Sequence, residues 1–140
     1  MIRSAPNPRL LLIGGDLLAL FLFIFIGREA HELGDAPDAA IALLLTAGEF
    51  WAAWLLAGWL AGAFVPGALA GPGGMPRFLI RSLLAWLAAA PLGVLLRAIV
   101  LGRAVIPTVF LGVALGVGGA FLLGWRLAFA LIVPRLAKNR

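Results

Sequence analysis

The chain has 140 residues, of which 64% are hydrophobic and 12% charged, and its mean hydropathy is +1.10. Soluble domains are about half apolar and about one-quarter charged, so this composition excludes a water-exposed exterior and predicts an integral membrane protein whose solvent is the lipid bilayer. The net charge of +5 comes from eleven Lys and Arg residues that are scattered along the chain and form no stripe, which argues against a nucleic-acid partner.

The first apolar segment, 10–26, has about the minimum length that spans a hydrocarbon core. Arg3 and Arg9 precede it, as basic residues precede the apolar part of a signal peptide. However, Asp16 interrupts the segment, and no small-x-small cleavage site follows before Arg28. We therefore expect a retained transmembrane helix.

Three further segments of transmembrane length follow the first: 39–65, 78–101 and 106–133. Pro66 and Gly67 are expected to end the second helix, and Pro134 the fourth, because proline removes a backbone donor. The connection 102–105 is short, so the last two helices should be antiparallel neighbours. The sequence thus predicts an all-α fold, a single bundle of four transmembrane helices built from two antiparallel hairpins over residues 1–140.

The distribution of basic residues predicts the orientation of this bundle. An N-terminus on the cytoplasmic side places six basic residues there, namely Arg3, Arg9, Arg77, Arg135, Lys138 and Arg140. Only Arg28 and Arg103 then lie on the other side. Because cytoplasmic loops are enriched in Lys and Arg, both termini are expected in the cytoplasm.

Charged residues inside the apolar segments are the most informative, since each costs about 2.5 to 3.5 kcal/mol at a helix centre. Asp16 and Glu49 lie within the first hairpin, and Arg81, Arg97 and Arg126 within the second. Matching depths predicts that Asp16 pairs with Arg126 or Arg81, and Glu49 with Arg97. One interpretation is that two buried ion pairs fix how the hairpins dock. The alternatives are a polar cavity for a proton, ion or headgroup, and snorkelling to the interface, above all for Arg81.

Small residues recur every four positions in the fourth segment, and a shorter version occurs in the second: Gly112, Gly116, Ala120 and Gly124, and then Gly58 and Gly62. Such stripes let helix backbones approach closely in lipid. Tight packing within the chain is the preferred interpretation. A homodimer interface and a flat pocket for a lipid tail, quinone or pigment are the alternatives.

Three of the five tryptophans, Trp51, Trp54 and Trp86, lie near mid-depth, where an interfacial aromatic belt does not explain them. Their indole donors need partners. Packing in the core is the simpler explanation, and stacking on a planar ligand is the alternative.

The loop after the first segment contains the single histidine among acidic and basic residues, namely Arg28, Glu29, His31, Glu32, Asp35 and Asp38. A solvated loop whose Asp38 caps the next helix is expected, with a divalent metal site as the alternative. The chain has no cysteine, no nucleotide-binding loop, no GxSxG elbow and no HExxH motif, so we expect neither an enzyme nor a cofactor.

Several spaced motifs resemble a family of small, four-helix bacterial membrane proteins catalogued as a domain of unknown function. The motifs are Asp16-Leu17-Leu18, Phe25-Ile26-Gly27-Arg28 with His31, Gly58-Trp59, Pro91-Leu92-Gly93 through Arg97, and Gly124-Trp125-Arg126. The resemblance covers most of the chain, implies the fold and a bacterial inner membrane location, and singles out Asp16, Arg28, His31, Arg97 and Arg126. It implies no activity, and Glu49 lies outside it.

The sequence therefore favours a non-enzymatic accessory or scaffold subunit of the membrane, with a polar core of Asp16, Glu49, Arg97 and Arg126. A small oligomeric transporter or channel that uses this core is one alternative. A binder of lipid, quinone or pigment is another. A homo-oligomer or a larger membrane complex is compatible with each.

Overall fold

The computed structural model describes residues 7–29, 38–105 and 108–138. Within these ranges the chain is helical and contains no strand, and four helices are long and apolar enough to cross a membrane, which confirms the predicted fold class. Helix α1 is Pro8–Glu29, α2 is Ala39–Leu60 and α3 is Gly74–Val100. The fourth span, α4, is α-helical over Thr108–Val113, π-helical over Ala114–Gly118 and α-helical again over Gly119–Lys138.

The four helices pack as an up-and-down bundle. Each helix contacts its neighbours in chain order, most extensively α2 with α3, and α4 closes the ring against α1. Consequently α1 and α3 end where α2 and α4 begin, which we name the Arg28 end. The opposite end, where α3 begins, is named the Arg77 end.

Helix α1 begins earlier than predicted, at Pro8. The side chain of Asn7 accepts a hydrogen bond from the backbone N–H of Arg9 at 3.0 Å. Proline suits the first position of a helix because the N–H that it lacks has no partner there. The dipeptide Asn7-Pro8 is thus a start signal that the apolar run conceals.

Helix α2 ends at Leu60, five residues before the predicted end. Gly62 has a positive φ of 65°, and Ala63 N–H donates to the Gly58 carbonyl at 2.8 Å. This pattern is a Schellman cap, which requires a left-handed residue that glycine adopts without steric cost. The chain then turns inward, so that Ala63 and Phe64 are buried although they lie outside the helix.

Helix α3 begins four residues earlier than predicted and ends one residue earlier. Pro76 lies in its first turn, where backbone N–H groups have no partner within the helix, so the proline does not delay the start. At the other end, Gly102 has a φ of 63°, and Arg103 N–H donates to the Ala98 carbonyl at 2.8 Å. A second Schellman cap therefore fixes the backbone of Arg103.

Pro134 does not end α4, because the helix continues to Lys138. A proline removes one backbone donor and restricts the residue before it, but the residues that follow can keep helical dihedral angles. The predicted start at residue 106 lies outside the described residues, which resume at Thr108.

The core consists of two hydrophobic clusters separated by a polar layer. The larger cluster contains Leu20, Trp54, Trp86 and Leu122, and the smaller one contains Leu12, Phe78 and Phe129. Asp16, Ser82 and Arg126 lie between them in sequence on α1, α3 and α4, and all three are buried. Outside this core, the described helices expose many Leu, Ile and Val side chains, as a lipid-facing surface requires.

Candidate functional site

The first charged pair joins Asp16 of α1 to Arg126 of α4. Arg126 donates from Nε to Oδ1 at 3.0 Å and from Nη2 to Oδ2 at 2.6 Å, so the pair is bidentate. Both side chains are 0% exposed. A bidentate guanidinium–carboxylate pair is the strongest arrangement that these groups form, and its geometry fixes the relative position of α1 and α4.

The remaining polar groups of this pair also have partners. Arg126 Nη1 donates to the Ala63 carbonyl and to Ser82 Oγ, each at 2.8 Å. Trp54 Nε1 donates to Asp16 Oδ2 at 3.2 Å. These hydrogen bonds join α1, α3 and α4 to Trp54 of α2 and to Ala63 in the turn after α2. The polar layer thus connects all four helices.

Aromatic rings enclose the Arg126 guanidinium. Its carbon lies 4.8 Å from the ring centre of Trp54, 5.4 Å from that of Phe64 and 5.2 Å from that of Phe78. These rings attract the cation through their faces and exclude lipid and water from it. The Asp16–Arg126 pair is therefore fully bonded and enclosed, which is the arrangement of a structural lock.

The second charged pair, Glu49 of α2 and Arg97 of α3, is looser. Arg97 Nη1 lies 3.5 Å from Glu49 Oε2, and the same Nη1 donates a short hydrogen bond to Thr46 Oγ1. Glu49 Oε2 is buried without a hydrogen-bond partner among the described residues. The Arg97 side chain is 27% exposed, so this pair is charge-matched but incompletely bonded.

A cavity of about 440 Å³ lies beside the second pair, at the Arg28 end. All four helices contribute to its wall. Arg28, Arg97 and Arg103 line it together with Thr46, and the rest of the wall is largely apolar, including Phe23, Ile24, Val94, Val109, Phe110 and Val113. The cavity therefore combines guanidinium groups with a hydrophobic wall.

Local structure explains why the arginines meet there. Arg28 and Arg97 lie in the last turns of α1 and α3, where the helix dipole favours a cation. Arg103 follows the glycine cap of α3 and is exposed. The up-and-down topology brings both C-terminal ends to the same side, where the three side chains line one cavity.

The expected polar core is thus divided into two separate sites, and Arg81 belongs to neither. Asp16 pairs with Arg126 and Glu49 with Arg97, whereas Arg81 is exposed on α3. Its neighbour Ser82 faces Arg126, and consecutive helix residues differ by about 100° in direction, so Arg81 is turned away from the core. This exposed position is the one that snorkelling predicts.

The predicted packing role of the regular small-residue stripe is wrong. Its members on α4, namely Gly112, Gly116, Ala120 and Gly124, are exposed, and a Cβ added to any of the three glycines would meet nothing within 4 Å. The buried face of α4 includes Ala114, Gly118, Leu122 and Arg126, two residues out of step with the stripe. An offset of two residues is about 200° around a helix, so the stripe faces outward.

The shorter stripe on α2, Gly58 and Gly62, also acts differently. Gly62 forms the helix cap described above, and Gly58 packs against the ring of Phe64, 2.6 Å from its nearest atom if a Cβ were present. The close approaches that the regular spacing did not indicate involve Gly15 against Trp125, Gly93 against Phe50, and Gly118 and Gly119 against Trp86.

Four tryptophans donate their indole N–H within the protein. Trp51 donates to the Leu17 carbonyl at 3.0 Å, Trp86 to that of Leu115 at 3.2 Å and Trp125 to that of Leu12 at 3.3 Å, in addition to Trp54 with Asp16. Leu115 lies in the π-helical segment, where the regular ladder is interrupted. Trp59 is exposed. These contacts favour packing in the core over stacking on a planar ligand.

Sequence reasoning missed Thr46 and Ser82, the hydroxyl partners of the two arginines. Both lie in apolar segments, where a hydroxyl side chain often bonds across helices, and this was the available signal.

His31 lies outside the described residues. Among the described residues no cluster of His, Asp or Glu suits a metal, and the acidic loop proposed for one falls mostly outside them. Asp38 occupies the first cap position of α2 without a side-chain hydrogen bond, so the predicted capping contact is absent there.

Comparison with known proteins places these features in a family. No match to the chain is found among curated proteins or among solved structures. A family described as proteins of unknown function, DUF3054, matches residues 13–129. The matched range includes Asp16, Glu49, Arg97 and Arg126, and it confirms the resemblance to a domain of unknown function. The chain, with its four helices long and apolar enough to cross a membrane, belongs to the DUF3054 family of proteins of unknown function.

Proposed function

We propose that this protein is a non-enzymatic membrane protein that binds the phosphate headgroup and part of the apolar tail of an anionic lipid. The observation that carries this proposal is the cavity at the Arg28 end, in which three guanidinium groups meet a largely apolar wall. The proposal selects the lipid-binding alternative from the three classes that the sequence left open.

The arginines support an oxyanion ligand. Guanidinium groups match the geometry of phosphate oxygens, and they form charge-assisted hydrogen bonds that are stronger than neutral ones. Arg97 is held by Thr46 and Glu49 through Nη1, whereas Arg126 uses Nε, Nη1 and Nη2 on protein partners. Nε and Nη2 of Arg97 can therefore donate to a ligand, whereas all three nitrogens of Arg126 already donate within the protein.

The volume of the cavity, its apolar wall and its position at the helix ends support an amphiphile rather than a small ion as the ligand. A cavity of about 440 Å³ falls within the usual range for small-molecule sites, and side chains such as Phe23, Ile24 and Phe110 offer contact to a hydrocarbon chain. Helix ends lie at the level of lipid headgroups, so a lipid can place its phosphate at Arg28 and Arg103 and its tail between the helices.

The Asp16–Arg126 layer supports binding over passage along the bundle axis. Both side chains are 0% exposed, and Arg126 also bonds to the Ala63 carbonyl and to Ser82 Oγ. Ions therefore have no opening at that depth. An accessory role in a larger complex or a homo-oligomer is compatible with lipid binding. We further propose a bacterial inner membrane location with both termini cytoplasmic, which the basic residues Arg9 and Arg77 at the Arg77 end support.

The test is a titration of the purified protein in maltoside micelles with dihexanoyl phosphatidic acid, followed by calorimetry. Saturable binding is expected, with dihexanoyl phosphatidylcholine and inorganic phosphate each at least about tenfold weaker, because one carries a neutralising choline and the other buries no tail. Arg103→Gln should weaken binding of phosphatidic acid about tenfold by removing a charged donor.

Arg81→Gln is the matched control, since it removes the same charge from an exposed site elsewhere on α3. Its affinity for phosphatidic acid should equal that of the unmodified protein. Equal affinity for phosphatidic acid and phosphatidylcholine, or equal losses in the two variants, would contradict the proposal.

A further inference from the structure

Glu49 has a contact that the proposed lipid site does not itself explain. Its side chain is 8% exposed, and Oε2 lies 3.5 Å from Arg97 Nη1 while accepting no hydrogen bond from a described residue. A buried carboxylate normally completes its hydrogen bonds. Here the hydrogen bond from Arg97 Nη1 goes to Thr46 Oγ1, so Glu49 neutralises the cation without a hydrogen bond to Oε2.

The positions of the three groups relate this contact to the cavity. Thr46 and Glu49 lie one turn apart on α2, and Arg97 reaches both from α3. Thr46 and Arg97 line the cavity, whereas Glu49 does not. The carboxylate therefore contacts an arginine that is also part of the cavity wall.

We propose that Glu49 is a built-in competitor that occupies Arg97 until the anionic headgroup of a lipid replaces it. This inference rests on the proposed function and adds its regulation. When the headgroup takes Arg97, two anions compete for one cation in a poorly solvated place, so Glu49 lowers the affinity of the cavity for every anion.

The competition sets an affinity threshold that amphiphiles pass and small anions do not. A lipid gains additional binding energy by burying its tail against the apolar wall, and this gain offsets the loss of the Glu49–Arg97 contact. A small inorganic anion has no such gain and does not displace Glu49. The internal carboxylate thus keeps free phosphate out of a site whose arginines would otherwise attract it.

The experiment compares the unmodified protein with Glu49→Gln and Asp38→Asn, using dihexanoyl phosphatidic acid and inorganic phosphate as probes. Glutamine keeps the size of Glu49 and removes its charge. Asp38→Asn is the matched control, because it removes the same charge from the exposed N-cap residue of α2. Thermal unfolding in the same micelles verifies that each variant is folded.

Glu49→Gln should bind phosphatidic acid about tenfold more tightly than the unmodified protein and should gain measurable binding of inorganic phosphate. Asp38→Asn should change either affinity by no more than about twofold, because its charge is exposed and screened. Unchanged or weaker binding by a folded Glu49→Gln would overturn the inference.

Infrared difference spectra of the unmodified protein give a second readout that does not rely on an affinity. Phosphatidic acid added to the unmodified protein should shift the carboxylate band of Glu49, whose assignment comes from its absence in Glu49→Gln. If phosphatidic acid binds without that shift, the lipid site stands and the role of Glu49 is refuted. If phosphatidic acid binds to neither protein, the proposed function itself is refuted.

Discussion

The two charged pairs have the same composition, one carboxylate from the first hairpin and one guanidinium from the second, yet the bundle treats them differently. Asp16 and Arg126 are 0% exposed, bidentate and enclosed by aromatic rings. Glu49 and Arg97 meet through one nitrogen, without a hydrogen bond to Glu49 Oε2, beside a cavity.

This difference separates stability from function within one small protein. Removing one partner of a fully enclosed pair leaves an uncompensated charge in a medium of low dielectric constant. Removing one partner of a half-open pair leaves a charge that water or a ligand reaches. We therefore expect the first pair to control folding and the second to control binding.

The largest effect is expected from Asp16→Asn. This change leaves Arg126 buried without a counter-charge and should lower the free energy of unfolding by about 3 to 5 kcal/mol. Glu49→Gln is the comparison variant and should lower it by less than about 1 kcal/mol, because Arg97 is partly solvated. Unfolding in mixed detergent micelles, followed by circular dichroism, measures both. Equal losses would remove the distinction between the pairs.

The next effect concerns the close approach of α1 and α4 beside the enclosed pair. A Cβ on Gly15 would lie 2.0 Å from the ring of Trp125, so Gly15→Ala should cost about 1 to 3 kcal/mol of stability by forcing the helices apart. Gly14→Ala is the matched control, because a Cβ there meets nothing within 4 Å. If the two variants have equal thermal midpoints, the close approach of α1 and α4 at Gly15 does not contribute to stability.

The hydroxyl partners sharpen the comparison further. Ser82→Ala removes an acceptor from the enclosed Arg126 and should cost about 1 to 3 kcal/mol, since the freed N–H stays buried. Thr46→Val removes the acceptor of Arg97 and should cost less than about 1 kcal/mol, since that guanidinium is partly exposed. The same unfolding measurement applies, and a larger loss for Thr46→Val would reverse our assignment of the two sites.

The smallest effect is expected on the outward face of α4. Gly116→Ala places a methyl group where nothing lies within 4 Å, and Gly118→Ala places one 2.8 Å from Trp86 Cζ2. The first should leave the thermal midpoint of the monomer unchanged and the second should lower it. A loss of stability in Gly116→Ala that depends on protein concentration would show that this face joins copies of the chain.

Much of the site was predictable because charge inside a membrane has few solutions. The depth of Asp16 and of Arg126 along their segments was enough to suggest their pairing, and the same argument joined Glu49 to Arg97. An Asp16–Arg81 pair stayed open as an alternative because depth gives position along a helix but not direction around it. Ser82 could have decided between the alternatives. Its hydroxyl faces the core, and the adjacent Arg81 therefore points away from the core.

The small-residue stripe on α4 shows the same limit. Its spacing indicated close packing, but the position of Arg126 on the same helix shows which face is buried. Arg126 must face inward, and Gly124, two residues away, then faces outward. Spacing describes a face, whereas only the partners in the bundle decide which face is buried.

The sequence by itself determined that the chain resides in a bilayer, that four helices cross it, and that carboxylates of one hairpin neutralise guanidinium groups of the other. These features follow from the cost of exposing polar groups to lipid, which depends on composition and on position along each segment. Tertiary structure alone decided that one pair is closed by Trp54, Phe64 and Phe78 while the other borders a cavity. That outcome depends on helix rotation and on caps such as Gly62 and Gly102, which set how the four surfaces meet.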